Sequence, residues 1–291
     1  MSRKGIMLCY PFSKSRLEKW PPPYYLQAKL NGNRCRVEAN HEGVSLYTSQ
    51  GNIFKSVPHI NQLLESIIYN PNIAPLASYS QLVLDGELYI HGVPLNKIRS
   101  ITSRTTGLHP DYSTMEFHIF DVLFKDRPME QEHRDTLLDR IEDLVHGASS
   151  LKVVKRVIRS TKEGIVDFLK ECYGEGYEGI VVRNKDGFYE TKRSTNIMKL
   201  KPRYTDEYRI VGFKEEVAIN GDPKGSLGAL QLSDMDGKKF WVGTGSFLTR
   251  DMRFLLWQDR HKLIGKIAVI KYQELTGARG VPYCPALVEV V

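Results

Sequence analysis

At 291 residues the chain is long enough for two domains, and 41% hydrophobic with 26% charged residues excludes a disordered, collagenous or coiled-coil character. Lys and Arg outnumber Asp and Glu by 41 to 34, a net charge of +7 that suits either a polyanionic partner or an ordinary basic enzyme. No stretch reaches the roughly 18 apolar residues of a membrane span, so no membrane association is expected.

In chain order, the N-terminus breaks into charge and proline before the apolar core of a secretory signal forms. Cys9, Cys35, Cys172 and Cys284 make no C-x-x-C pair, and free thiols of this kind point to a reducing compartment, the cytosol. The β-prone segments PPPYYLQAKL, RCRVEA and VSLYT predict a meander of short strands. Ile60, Leu63, Leu64, Ile67 and Ile68 recur at helical spacing behind Pro58. LVLDGELYI and MEFHIFDVLF predict two more strands with a helix over Leu95–Thr102 between them. Leu137, Leu138, Ile141 and Leu144 mark an amphipathic helix, and Ile165, Phe168 and Leu169 another; EGIVVRN and NIMKLKP are then strands.

The pattern changes after Lys201-Pro202, which sets a boundary between domains at 1–202 and 203–291. Beyond it YRIVGF, LGALQL, KFWVG, KIAVIKYQEL and ALVEVV predict five short strands with one interposed helix, as in an OB-fold barrel. Lys238, Lys239, Arg250, Arg253, Arg260, Lys262, Lys266 and Lys271 are interleaved there with Trp241, Phe247 and Trp257. Such a surface can track a nucleic acid backbone, while a barrel this small needs at least one of the tryptophans in its core.

Lys29-Leu30-Asn31-Gly32-Asn33-Arg34 closes a predicted strand. A lysine amine is nucleophilic when desolvation or neighbouring cations free it of its proton, so the run offers a nucleophile, a turn and a phosphate clamp. A hairpin turn built on Asn-Gly explains it equally well when taken alone. LDGELY, EFHIFDVLF, EGIVVR and IMKLKP follow in that order. Lys199 and Lys201, two apart on a strand, point their ammonium groups to one face.

With these motifs in this order the chain resembles the covalent nucleotidyltransferases, specifically the ATP-dependent DNA ligases of the phage and viral minimal type. The resemblance implies an α+β nucleotidyltransferase (adenylation) domain of antiparallel sheets with flanking helices, followed by the OB-fold. It implies ATP and Mg2+ as cofactors and nicked duplex DNA as partner. Lys29 is then the nucleophile that forms lysyl–AMP; Gln27 meets the adenine edge, Glu87 the ribose hydroxyls, and Phe120 stacks on the base. Glu178, with Glu87, holds the metal; Lys199 and Lys201 contact the α-phosphate; Arg34 holds phosphate or the nick terminus, and Arg193 the nucleic acid. The resemblance also implies a clamp in which the two domains close over nucleotide and reopen on DNA. NAD is not expected as donor, because too little chain precedes Lys29 for that branch's extra domain. A monomer is expected.

Three positions depart from the family pattern. Asn31 stands where an aspartate is usual, Gln50 replaces the arginine of the T-S-R-x-G motif, and GVPYCPALVEVV lacks the arginine of the last motif, leaving Arg279 as the nearest candidate. Slow self-adenylation with competent sealing is the expectation. An RNA ligase, an mRNA guanylyltransferase and a catalytically weakened nucleic-acid-binding paralogue are the alternatives.

Overall fold

The computed structural model describes residues 3–70, 82–125, 127–276 and 279–291. Two compact units divide the chain, Met1–Lys201 and Pro202–Val291. In the first, β1 (Leu8–Pro11), β2 (Tyr24–Lys29), β3 (Asn33–Asn40), β4 (Gly43–Thr48), β5 (Leu82–Tyr89), β6 (Glu116–Phe124), β7 (Leu151–Val153), β8 (Arg156–Arg159), β9 (Gly179–Asn184) and β10 (Arg193–Leu200) build two sheets. Their orders are β1-β10-β9-β2-β8 and β4-β3-β5-β6-β7.

Both sheets are mixed, which corrects the antiparallel expectation: β1 runs parallel to β10 and β7 parallel to β6. The chain reaches β7 through a helical crossover, and a crossover returns it in the same direction as β6. The expected meander is also corrected. β3 and β4 form a hairpin, but β2 belongs to the other sheet, so Leu30–Gly32 is a crossing between sheets and the Asn31-Gly32 pair is not a hairpin turn.

Six α-helices lie among the described residues: α1 (Lys14–Leu17), α2 (Pro58–Ile68), α3 (Leu95–Thr102), α4 (Gln131–Val145), α5 (Lys162–Gly174) and, in the second unit, α6 (Arg250–Gln258). α2 has Pro58 in its first turn and buries Ile60, Leu64 and Ile68, one residue per turn. α5 starts where the Thr161 hydroxyl accepts the Gly164 N–H, and it buries Ile165, Phe168 and Cys172. These pack on Leu26, Ile180, Val182 and Met198 from one face of the first sheet. Strand alternation sends Gln27, Lys29, Val181, Arg183 and Lys199 to the opposite face. A second core joins the other sheet to α2, α3 and α4 through Val37, Leu84, Phe117, Ile119, Ile60, Ile98 and Leu138. α4 turns Leu138, Ile141 and Val145 inward, with Leu137 on the flank.

In the second unit, β11 (Tyr204–Val217), β12 (Pro223–Ser233), β13 (Lys239–Val242), β14 (Ile267–Tyr272) and β15 (Ala286–Val290) form an antiparallel sheet in the order β13-β12-β11-β14-β15. No pairing among the described residues closes it into a barrel. Trp257 packs against its core, whereas Trp241 is exposed with the Lys214 ammonium 4.9 Å from its ring centroid. Arg253 does not join the expected basic surface: its guanidinium donates to the carbonyls of Leu227 (2.7 Å), Gly228 (3.2 Å) and Gly243 (2.6 Å). Among the described residues no helix is long and apolar enough to cross a membrane.

Candidate active site

Three neighbouring strands end at one place. Lys29 is the last residue of β2, Gly179 opens β9 opposite it, and Lys201 follows directly on β10. Glu178 sits at this junction. Its backbone N–H donates to the Lys29 carbonyl at 3.2 Å, and its carboxylate receives the ammonium of Lys29 on one oxygen and that of Lys201 on the other. Gly179 permits the approach: at φ +148° its backbone runs so close to Lys201 that a Cβ would lie 3.0 Å from the Lys201 Cα.

The charges reinforce one another. Burial acts to raise the Glu178 carboxyl, but Lys29 and Lys201 outweigh it and hold it below the ordinary carboxylate range. Lys199 is pulled down by burial and by repulsion from Lys201 and Lys29. Three ammonium groups around one carboxylate leave a surplus of positive charge, the field that a polyphosphate requires.

The second sheet contributes the other wall. The Arg34 guanidinium grips Asp85 through both carboxylate oxygens, with Nε at 2.6 Å from Oδ1, and also donates to the Met7 carbonyl at 3.3 Å. Burial works against its charge, but the Asp85 carboxylate more than restores it and its pKa is raised. The Tyr189 hydroxyl donates to the same carboxylate and accepts the Met7 N–H at 3.0 Å. Glu87, opposite Arg34 in the ladder, accepts the Gly32 N–H at 3.2 Å. Burial pushes its carboxyl up to about 7, despite Lys29 and Arg34. Gly32 is required by this closeness: a Cβ there would lie 2.7 Å from Glu87 Cγ and inside contact distance of the Leu88 carbonyl oxygen.

Phe120 owes its position to a β-bulge. Asp85 pairs with Asp121 and Gly86 with Ile119, so Phe120 is the extra residue of β6. The core alternation Phe117, Ile119 then resumes one residue late at Val122, Phe124, and Phe120 and Asp121 both leave the core face. The Arg34 guanidinium carbon lies 4.5 Å from the Phe120 ring centroid.

Gln27, Lys29, Arg34, Glu87 and Phe120 line a single cleft, together with Asp121, Arg183 and Tyr189. Glu178 and Lys201 meet it at the Lys29 amine. Arg193 stands apart, at the other end of β10 and roughly 20 Å from Lys199 at about 3.3 Å per residue. It donates to the Cys9 carbonyl, with its guanidinium carbon 5.6 Å from the Tyr10 ring centroid. Gln50 is exposed in the turn after β4, and Arg279 is exposed before β15. Asp85, Asp121, Arg183 and Tyr189 receive no role from the sequence, although the first three lie within LDGELY, EFHIFDVLF and EGIVVR. Asp121 carries a further signal, the break of alternation in EFHIFDVLF, where a polar residue falls on the core phase.

Among the described residues no three His, Cys, Asp or Glu side chains gather as a ready metal cage. A single carboxylate beside a cationic cleft nevertheless fits Mg2+, which takes one or two carboxylates and completes its shell with water and phosphate oxygens. Glu178 would be that carboxylate.

The family profile described as ATP dependent DNA ligase domain matches residues 6–201. The chain belongs to this family. The chain is 30% identical over 278 residues to a DNA ligase of African swine fever virus, covering 88% of this chain and 61% of the viral protein. It is 23% identical over 282 residues to a DNA ligase of Haemophilus influenzae, covering 95% and 89% respectively. The chain thus spans about three-fifths of the length of the viral relatives it matches. Among solved structures, Pmar-Lig_Pre superposes with a TM-score of 0.83 at 21% identity, over 100% of this chain and 68% of that one. The fold is therefore a nucleotidyltransferase-type ligase fold with mixed sheets and helices.

Proposed function

We propose that the protein is an ATP-dependent DNA ligase that seals 3′-OH/5′-phosphate nicks in duplex DNA through a lysyl–AMP intermediate. The observation that carries this reading is the convergence of Lys29, Glu178 and Lys201 at the mouth of a cleft lined by Phe120, Gln27 and Glu87. In the first step the Lys29 ammonium gives a proton to solvent, its Nζ attacks the α-phosphorus of ATP, a P–N bond forms, the P–O bond to pyrophosphate breaks, and the second amine proton passes to solvent. Phosphoryl transfer of this kind depends on alignment and charge neutralisation more than on covalent help from the protein.

Each residue has a part in that scheme. Glu178 hydrogen-bonds the Lys29 ammonium, so its carboxylate must be drawn away before the amine can attack. Lys199 and Lys201 offset the charge that develops on the α-phosphate and pyrophosphate. Glu87 meets the ribose hydroxyls, Phe120 gives the base a stacking face, and Gln27 meets the base edge. Arg34, held by Asp85, has to exchange that partner to reach a phosphate. Arg193, far from the amine, is left for the nucleic acid. Bound at Glu178, with Glu87 beside the cleft, Mg2+ would supply Lewis-acid neutralisation of phosphate oxygens.

The second unit, with its antiparallel five-stranded sheet and exposed Trp241, supports an OB-type DNA-binding module. Domain limits at 1–202 and 203–291, a monomeric state and a cytosolic setting belong to the same reading, the last supported by four free cysteines. The test is covalent labelling with ATP carrying a labelled α-phosphate, with Lys29→Ala as control, followed by nick sealing on DNA–DNA, RNA–DNA and RNA–RNA duplexes. A labelled band absent from the variant and sealing of DNA nicks are expected. A wild-type protein that takes no label would overturn the reading.

A further inference from the structure

From Gln27 on the cleft wall a buried polar network runs inward through Arg183, Asp121 and Arg134, and the scheme above gives no part to these last three. Gln27 (2% exposed) sends its amide nitrogen to the carbonyls of Phe120 (3.1 Å) and Val154 (3.4 Å), and its amide oxygen accepts Arg183 Nε–H at 2.9 Å. Arg183 is itself held fast. Its Nη1 donates to Asp121 Oδ2 at 2.6 Å and Gln131 Oε1 at 3.1 Å, and its Nη2 to the Phe120 carbonyl at 3.3 Å. Asp121 is pinned from its other oxygen by Arg134 Nε at 2.8 Å, and Arg134 is anchored on the carbonyls of Met129 and Gly187.

We propose that Arg183 is a specificity-determining positioning residue that fixes the rotation of the Gln27 amide, and that this selects a purine bearing a 6-amino group over one bearing a 6-oxo group. The inference rests on the nucleotide reading of the cleft given above.

The amide has only one permitted orientation. Turning it over would set its NH2 group against the guanidinium N–H and its oxygen against two carbonyl oxygens, leaving buried donors and acceptors unpaired. In the observed orientation both amide hydrogens are spent, and one of the two lone pairs of Oε1 is taken by Arg183. What Gln27 can still offer is a single acceptor. Gln27 alternates with Lys29 on the cleft face of β2 and is bonded to the backbone of Phe120, so that acceptor belongs to the base end of the cleft. An exocyclic amine can donate to it. A 6-oxo group would bring oxygen against oxygen, and sites built around a buried hydrogen bond discriminate strongly against the analogue that cannot make it.

A glutamine free to rotate would accept either purine, because its amide is both donor and acceptor. The selectivity therefore resides in the lock. Arg183 touches neither the Lys29 amine nor the triphosphate side of the cleft in this arrangement, so loss of the lock should act on nucleotide affinity and spare the bond-forming step.

The experiment compares self-labelling by ATP and by inosine triphosphate, which carries oxygen at the 6-position, in the wild type, Arg183→Lys and Gln27→Met, with circular dichroism as the check on folding. Arg183→Lys keeps the charge beside Asp121 and loses the planar fork; Gln27→Met removes the amide with little change of volume. We expect the wild type to favour ATP by about a hundredfold or more in kcat/KM. In either folded variant the ratio should fall at least about tenfold, and in Arg183→Lys the fall should come through KM more than through kcat. Equal slowing of both nucleotides, with the ratio held, would overturn the proposal and show the network to be structural. A wild type that takes label from neither nucleotide would overturn the function reading and this inference with it.

Discussion

Glu178 is tied to Lys29 twice, its backbone N–H on the Lys29 carbonyl and its carboxylate on the Lys29 ammonium. The backbone bond fixes where the side chain starts, and the ion pair fixes where it ends. Removing the carboxylate charge should therefore leave the strand junction standing and impair the chemistry. Glu178→Gln is expected to lower the labelling rate by about a hundredfold or more, an effect of the size seen when one electrostatic partner is lost at a reacting centre. Its thermal midpoint should stay within a few degrees of the wild type. A variant that labels at the wild-type rate contradicts the assignment.

Gly32→Ala tests the close approach of the inter-sheet crossing to Glu87. The added Cβ would press on Glu87 Cγ and the Leu88 carbonyl, so either the crossing or β5 must shift. A loss of about 1–3 kcal/mol in urea unfolding is expected, together with weaker ATP binding because Glu87 is displaced. Unchanged stability would mean that the crossing yields without strain.

Asp135 supplies a pH signature. Burial raises its carboxyl to about 6 from an ordinary 3.8, even with Arg156 and Arg183 nearby, and among the described residues its Oδ2 meets no hydrogen-bond partner. A carboxyl whose folded pKa lies above its unfolded one stabilises most below the unfolded value and loses that contribution as pH rises through the folded value. Between pH 4 and 6 the wild type should lose about 2–3 kcal/mol from this group, and Asp135→Asn should not. Melting both proteins across that range checks the sign: the difference, wild type minus variant, has to fall with rising pH and then level off.

Arg253 and Trp241 separate stability from binding in the second unit. Arg253→Ala removes the guanidinium donor from three backbone carbonyls, two in β12 and one just past β13, and is expected to destabilise by about 1–3 kcal/mol. Trp241→Ala removes an exposed ring beside Lys214 and should leave the melting point nearly unchanged. Its effect should appear as a roughly fivefold to tenfold weaker affinity for nicked duplex at fixed salt, within the range of one lost stacking platform. Equal DNA affinity in wild type and Trp241→Ala would remove this face from the nucleic-acid surface.

Local pattern alone determined much of this protein. Hydrophobic spacing behind Pro58 located a helix that is found at Pro58–Ile68, because a one-faced apolar stripe has few other solutions, and the helix expected around Leu95–Thr102 is found there too. The order of the motifs from Lys29 to Lys201 pointed to the family that the profile match establishes. Which sheet a strand joins was another matter. β2 and β3 are adjacent in sequence and pattern, and nothing in Leu30–Gly32 reveals that the chain leaves one sheet for another, since an Asn-Gly pair serves a hairpin or a crossing alike. The strand directions of β1 and β7 were equally hidden, being set by distant partners in β10 and β6.

The same division runs through the site. Lys29, Glu178 and Lys201 could be named from the family resemblance of their motifs, but only tertiary structure placed three strand ends together so that one carboxylate meets two ammonium groups. Arg34 could be read as a phosphate clamp, yet the fold gives it to Asp85 and sets it over Phe120. Arg183 and Asp121 lie within the motifs EGIVVR and EFHIFDVLF but received no role from them, and their pairing spans 62 residues and two sheets. Periodicity records which side of its own element a residue faces. The partners found there depend on pairings made far along the chain, and buried charges accept only those that satisfy them.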